Sequence, residues 1–525
     1  MNWLSATAAT GVLAMSLIMA CTGGDPTPAT ALEDAGCVGA SCVDASTADT
    51  GSPTDDGGSP DASDACTGPC KGDVVWIRSF GSATGEVLNS TFVDEAGNLY
   101  ISAQTSAALG IGDNGGAPVV PAGTFIAKFS PAGQPIWAKP ITGIVPTHRI
   151  AARGGVLYVA GVYFKNNAQT TPIGWDTTPT GLPNNVGTSG YDVFVLKIDA
   201  NSGAFQAAKP IGTDGYDELR GVGVATDGSP VIFGQMNQAT SVDGKNVPAG
   251  PFVLGLTANL AASWVHAITP GSGASAQAAY LFPMAGSDLG VAGEYKGSVN
   301  FNDGNPSVSS TGTAGFVARL TSAGVMTGTN AFASLYAGDP NPPTYNIDLH
   351  GGAYGAMPSP AFAVVGRTEG VMGLGSGSFI PAMDAGARTP STYVARYDAT
   401  TMKVLASRVI FDNPTANVRK QVAMDGAGNI SVAGTFSGTA DLGGGSVTSR
   451  DNDGFVTLYD PQLKTVLWSF AFGGPLADRV VGMGTDPSGA VIVAGEFQGA
   501  ADFPSNKQLV SQGGATNVFL MKLAR

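Results

Sequence analysis

Reactive chemistry in this chain would have to come from carboxylates, because the other usual groups are scarce or badly placed. Only three histidines occur, His148, His266 and His350, and no H-x-H or H-E-x-x-H pair is present. That argues against hydrolysis by a histidine-bound metal. There is no G-x-S-x-G elbow, and residues 73–525 contain no cysteine, so nucleophilic catalysis has no obvious seat. Asp451-Asn-Asp453-Gly454 and Asp113-Asn-Gly-Gly hint at calcium loops, but neither completes the D-x-D-x-D-G pattern with a distal Glu. Asp453-Gly454 reads instead as the turn into a strand. Arg149, Arg220, Arg419 and Arg479 recur near the starts of predicted strands, each expected to pair with a neighbouring loop acid. No catalytic residue is assigned and no cofactor is required; calcium is the one metal left possible within residues 73–525.

The elements that would position such groups repeat seven times. The copies are Phe125-Ile-Ala-Lys128-Phe129, Phe194-Val-Leu-Lys197-Ile198, Phe252-Val-Leu-Gly-Leu256, Phe316-Val-Ala-Arg319-Leu320, Tyr393-Val-Ala-Arg396-Tyr397, Phe455-Val-Thr-Leu-Tyr459 and Phe519-Leu-Met-Lys522-Leu523. A period of about 60 residues built from strand-like units is the mark of a propeller or array. The composition agrees: 75 glycines and 13% charged residues in 525 suit short strands and tight turns. Within the last unit, strands are predicted at 480–486, 490–497 and 517–523. Fourth strands follow the third in the other units, as in Pro135-Ile-Trp137, Ala262-Ser-Trp264, Lys403-Val-Leu and Val466-Leu-Trp468. An orphan fourth strand begins the series at Asp73-Val-Val-Trp76-Ile-Arg-Ser-Phe80. Pairing 73–80 with 517–523 closes a ring and removes two exposed sheet edges. The predicted fold is therefore an all-β, seven-bladed β-propeller over residues 73–525, preceded by a disordered tether.

Gly215-Tyr-Asp-Glu-Leu-Arg220, Gly190-Tyr-Asp192-Val-Phe-Val-Leu-Lys197 and Val493-Ala-Gly-Glu-Phe-Gln-Gly499 with Asp502-Phe503-Pro504 resemble the repeats of the bacterial seven-bladed β-propeller (SBBP-type) family. The resemblance covers residues 73–525 and is weakest in the fourth and fifth units. It implies the fold and an exported location, but no single activity.

Residues 11–20 form an apolar run of signal-peptide length, ending in Ile18-Met19-Ala20-Cys21. This resembles the lipobox of bacterial lipoproteins, which implies cleavage of residues 1–20 and lipidation of Cys21. Residues 1–10 carry no Lys or Arg, a departure from the usual basic start. Thr22, rather than Asp, fits sorting to the outer membrane by analogy. Residues 22–72 hold almost no large apolar side chains and cannot offset their ordering entropy. Nine acids and one lysine give residues 1–72 a charge of −8 out of the chain's −14. The acidic balance argues against nucleic acid. Cys37, Cys42, Cys66 and Cys70 lie in this tether; 37–42 and 66–70 are the simplest disulfides of three possible pairings, with a zinc site as the sharper alternative.

In each blade the first-to-second and third-to-fourth turns share one face. The second-to-third loops, long at 103–123, 165–190 and 368–391, share the other with the blade-to-blade connections. Variable loops on a rigid ring are where binding is expected. His148, Tyr163, Trp175, Tyr191, Tyr216, Asp217, Tyr345, Asn346, Asp412 and Asp478 fall on or beside that face and form the candidate binding surface, as exposed groups suited to glycan or protein. The expected function is a monomeric, non-enzymatic envelope lipoprotein presenting a binding or adhesion scaffold. A carboxylate- or metal-dependent hydrolase or lyase in the central funnel, and a structural part of an envelope assembly, are the alternatives.

Overall fold

The computed structural model describes residues 70–112, 115–144, 148–164, 173–182, 190–284, 288–332, 347–355, 359–369, 372–374, 379–380, 390–412 and 420–525. They form a seven-bladed β-propeller. The blades span 86–142, 149–211, 218–267, 275–332, 347–412 and 421–472, and the seventh joins 479–523 to 74–80. Each core blade is a four-stranded antiparallel sheet, running outward from the inner strand in chain order. Every inner strand packs against the inner strands of both neighbours, so the ring is complete.

The predicted closure is present. Val74–Phe80 forms the outer strand of blade 7, antiparallel to Thr516–Leu523, with Trp76 opposite Lys522 and Phe80 opposite Val518. Gly72 N–H donates to Ala524 O and Ala524 N–H donates to Asp73 O, so these two segments replace the usual third-to-fourth turn. The chain therefore joins the ring on the turn face.

Seven apolar clusters hold the ring, one at each blade junction. Their packing explains the repeated motif. The motif's aromatic side chain lies over a glycine of the adjacent second strand: a Cβ on Gly293 would sit 2.6 Å from the Phe316 ring, and one on Gly495 2.6 Å from the Phe519 ring. In four of the five copies that have one, the motif's cation reaches forward to the next blade; Arg319 pairs instead with Asp288 of its own blade. Lys128 Nζ donates to Ala200 O at 2.9 Å, Lys197 Nζ to Ala258 O at 2.8 Å, Arg396 Nη1 to Pro461 O at 3.2 Å and Lys522 Nζ to Pro131 O at 3.3 Å. Trp137 Nε1 and Trp76 Nε1 join Lys128 and Lys522 on the same two carbonyls.

Size complementarity continues at the same seam. The third-to-fourth turns carry a residue of positive φ: Gly72, Gly133, Gly203, Leu260, Gly324, Met402 and Leu463. Where the preceding blade offers an outer-strand tryptophan, that residue is glycine. Gly133 packs on Trp76, Gly203 on Trp137, Gly324 on Trp264, and Gly72 on Phe470 with Trp468 beside it, so that a Cβ would be crowded at each. Where the preceding blade has Ala207, Gly328 or Ala406 instead, the turn residue is Leu260, Met402 or Leu463 and its side chain fills the gap. A non-glycine residue at positive φ costs on the order of 1–3 kcal/mol, which burial of an apolar side chain worth about 1.5–3 kcal/mol offsets.

Candidate functional site

On the loop face the tripeptide Gly-Tyr-Asp occurs twice, at 190–192 and 215–217, and the two copies lie side by side. Gly190 pairs with Gly215 and Tyr191 with Tyr216 in parallel, and Asp217 N–H donates to Tyr191 O at 3.0 Å. Both glycines are required. Their φ values are 114° and 116°, and a Cβ on Gly190 would fall 1.7 Å from Gly215 O. The two aspartates turn inward and are fully buried. Asp217 accepts from Thr213 N–H at 2.6 Å, Thr213 Oγ1–H at 2.9 Å and Asn237 N–H at 2.8 Å. It thereby ties the connection between blades 2 and 3 to the second-to-third loop of blade 3. With the aspartates committed inward, the tyrosines are left outward.

Tyr216 is 65% exposed and Phe164, at the end of blade 2's second strand, is 42% exposed. Phe164 lies opposite Tyr191 in the sheet. The ring centroids are 4.7 Å apart for Phe164 and Tyr191, and 5.3 Å apart for Tyr191 and Tyr216, tilted by 50° and 60°. The result is a three-ring aromatic ladder standing on the loop face. The repeat supplies its own control. The equivalent positions are Ser437, Asn452 and Ala477 around blade 6, where Asp478 N–H donates to Asn452 O, and Gln498, Thr516 and Gly85 around blade 7. The scaffold does not need aromatics there.

The sequence candidates separate into four groups. Tyr191 and Tyr216 come together in the ladder. Tyr163, Trp175, His148, Asp217 and Asp478 are buried, which corrects the expectation that they would be exposed. Tyr163 packs on Phe194. Trp175 donates from Nε1 to Gly203 O at 2.8 Å and stands edge-on to Trp137, where Gly174–Trp175 covers the edge of blade 1. His148 Nε2 meets Ser102 Oγ inside the junction of blades 1 and 2. Asp412 pairs through its backbone with Ser391 in the outer part of blade 5. Tyr345, Asn346, Arg419, Asp113 and the cysteines at 21, 37, 42 and 66 lie outside the described residues; Cys70 sits at their edge, its N–H donating to Asp73 Oδ2.

Asp478 repeats the role of Asp217, accepting from Gly474 N–H at 2.6 Å and Gln498 N–H at 3.1 Å. Here a second buried carboxylate joins it. Asp453 Oδ1, which has no hydrogen-bond partner, and Asp478 Oδ2 both lie 2.7 Å from the point where a side chain at Gly473 would begin. Burial pushes the Asp478 carboxyl up to about 6 against the pull of its two N–H donors, and the charge of Asp453 adds to the rise. Burial likewise raises Asp453. Arg450 N–H donates to Asp453 Oδ2, and its guanidinium reaches Gly473 O and Asp502. Asp451-Asn-Asp453-Gly454 lies within the strand Ser446–Tyr459. Among the described residues no three His, Cys, Asp or Glu are grouped to hold a metal. His266 Nε2 contacts Phe301 O at 2.8 Å across the junction of blades 3 and 4. Arg220 and Arg479 pair with strand residues Glu218 and Glu496 rather than with loop acids.

A cleft of about 280 Å³ on the turn face is lined by Glu95, Arg153, Tyr158, Lys197 and Asp227 among others. Its polar groups mostly stitch blades together: Glu95 accepts from Gly154 N–H, Tyr158 donates to Gly228 O and Lys197 to Ala258 O. It reads as a seam between blades.

Sequence reasoning missed Phe164, because it lies at a strand end and only cross-strand pairing sets it beside Tyr191. The doubled Gly-Tyr-Asp was the signal that could have located the site.

No family model matches the chain, and no curated protein does. In structure it is similar to quinohemoprotein alcohol dehydrogenase from Comamonas testosteroni (10% identity, TM-score 0.41, covering 86% of this chain and 76% of that one). It is also similar to virginiamycin B lyase from Staphylococcus aureus (10%, 0.34, 85% and 99%) and to a europium-containing methanol dehydrogenase (8%, 0.37, 85% and 92%). At these identities no functional residue can be carried over.

Proposed function

We propose that this protein is an exported, lipid-anchored β-propeller of the SBBP-type repeat class that works as a binding scaffold, with the loop face as its working face. The observation that carries the reading is the aromatic ladder of Phe164, Tyr191 and Tyr216. Solvent-exposed aromatics cost solubility and add nothing to the blade, since other blades fill the same positions with small or polar residues. Exposed tyrosines are efficient contact residues, because a large rigid area is ordered at low entropic cost.

Lipidation at Cys21 and a tether over 22–72 complete the proposal. The chain joins the ring on the turn face, opposite the loop face. The test uses the full chain and a Phe164→Ala/Tyr216→Ala variant, both exposed to envelope extract and to a polysaccharide panel. Ladder-dependent capture supports the scaffold; equal capture by both forms, or none by either, removes its basis. Release of the protein from membranes by Cys21→Ala tests the anchor separately.

A further inference from the structure

We infer that the ladder of Phe164, Tyr191 and Tyr216 is a binding site for an uncharged polysaccharide chain. This deepens the scaffold proposal and rests on it. The shape favours a sugar. The rings are exposed, tilted steps, whereas an anchoring side chain of a protein partner needs the walls of an apolar pocket. A pyranose ring has a C–H-rich face that packs on an aromatic face and an equatorial belt of hydroxyls that must find polar partners nearby. Three consecutive rings at 4.7 and 5.3 Å extend about as far as a disaccharide.

The polar surroundings match that belt. Asp214, Asn237 and Gln238 are exposed beside Tyr216, and both amides donate to Asp214 O, at 2.9 and 3.1 Å. These bonds, to the backbone carbonyl of Asp214, fix the two side-chain amides next to Tyr216 and leave their acceptor oxygens for hydroxyl groups to donate to, with the exposed Asp214 carboxylate as a further acceptor. Charge selects against an anionic glycan. Asp192 and Asp217 are buried, Glu218 and Arg220 pair with each other at 2.5 Å, and the exposed Asp214 carboxylate repels an anion.

The test titrates the full-chain protein with cello-, chito- and malto-oligosaccharides as uncharged probes and with polygalacturonate as the anionic probe, read by calorimetry and saturation-transfer NMR. At least one uncharged probe should bind. Tyr216→Ala should weaken it by about tenfold, the scale expected when a stacked aromatic anchor is lost, and Tyr216→Trp should keep it. Saturation transfer should fall on sugar C–H protons. The inference is overturned if no uncharged probe binds, if Tyr216→Ala binds as the parent does, or if polygalacturonate alone binds. Run beside the envelope capture, the experiment separates the two proposals. Tyr216-dependent capture without uncharged-sugar binding ends the glycan assignment alone, and capture indifferent to the ladder ends both.

Discussion

Asp453 and Asp478 are two buried acids aimed at one point, and their titration has a definite sign. Asp478 titrates near 6 in the folded chain, above its ordinary 3.8. The folded state therefore holds a proton that the unfolded state has released between those values, and stability falls as pH rises through that window. Above about pH 6 the Asp478 carboxylate is ionised beside Asp453, whose own carboxyl is also raised by burial. Asp453→Asn removes one of the two acids, so its unfolding free energy should decline less between pH 4 and pH 7 than that of the parent. Urea titrations at four pH values check this, and parallel declines would refute it. Tyr216 makes the opposite case. Its side chain is largely exposed, so Tyr216→Ala should change the urea midpoint by no more than an exposed substitution does, within about 0.5 kcal/mol.

The turn residue and the outer-strand residue at each junction act as one unit. Trp137 is buried and Gly203 lies flat against its ring. Trp137→Ala alone should cost about 3–5 kcal/mol, and Gly203→Leu alone should destabilise through the clash with that ring. Together they recreate the Ala207–Leu260 junction found one blade further on. The double variant should therefore be more stable than the sum of the singles by about 0.5–3 kcal/mol, measured by a thermodynamic cycle in urea; strict additivity would mean the fit is incidental. The strands themselves were legible in the sequence, because each blade repeats an aromatic and an apolar run, with a cation at fixed spacing in five of the seven. Closure was legible because Asp73–Phe80 has no partner within its own unit. What the cation does was not legible. Lys128 and Lys522 bond to carbonyls of a different blade, and no local spacing encodes a contact made across a junction. For the same reason Trp175 and Tyr163 read as loop aromatics although they pack inside. A side chain near a long loop is exposed or buried according to whether a neighbouring sheet edge needs covering, and here blade 1's edge did.

Seven junctions in a ring share one closure, and blade 7 supplies it from both ends of the described chain. Removing residues 73–80 would strip the outer strand from Thr516–Leu523 and expose an unpaired edge. The shortened protein should lose cooperative unfolding and associate with itself, as seen by calorimetry and size-exclusion chromatography. A peptide spanning 73–80 added in trans should reverse the association. A shortened chain that stays monomeric with the parent's transition would show that the junctions alone hold the ring.

The chain enters the ring through the strand that closes it. If the protein is held at its amino end while the loop face grips something, tension enters at Val74 and runs lengthwise along Val74–Phe80. Its pairs with the carboxy-terminal strand, from Val74–Leu523 to Phe80–Val518, are then strained together in shear instead of being peeled one after another. Trp76 and Lys522, which meet on Pro131 O of blade 1, spread part of that tension into a second blade. The clasp is thus oriented to resist drag in the one direction from which an anchored molecule would feel it.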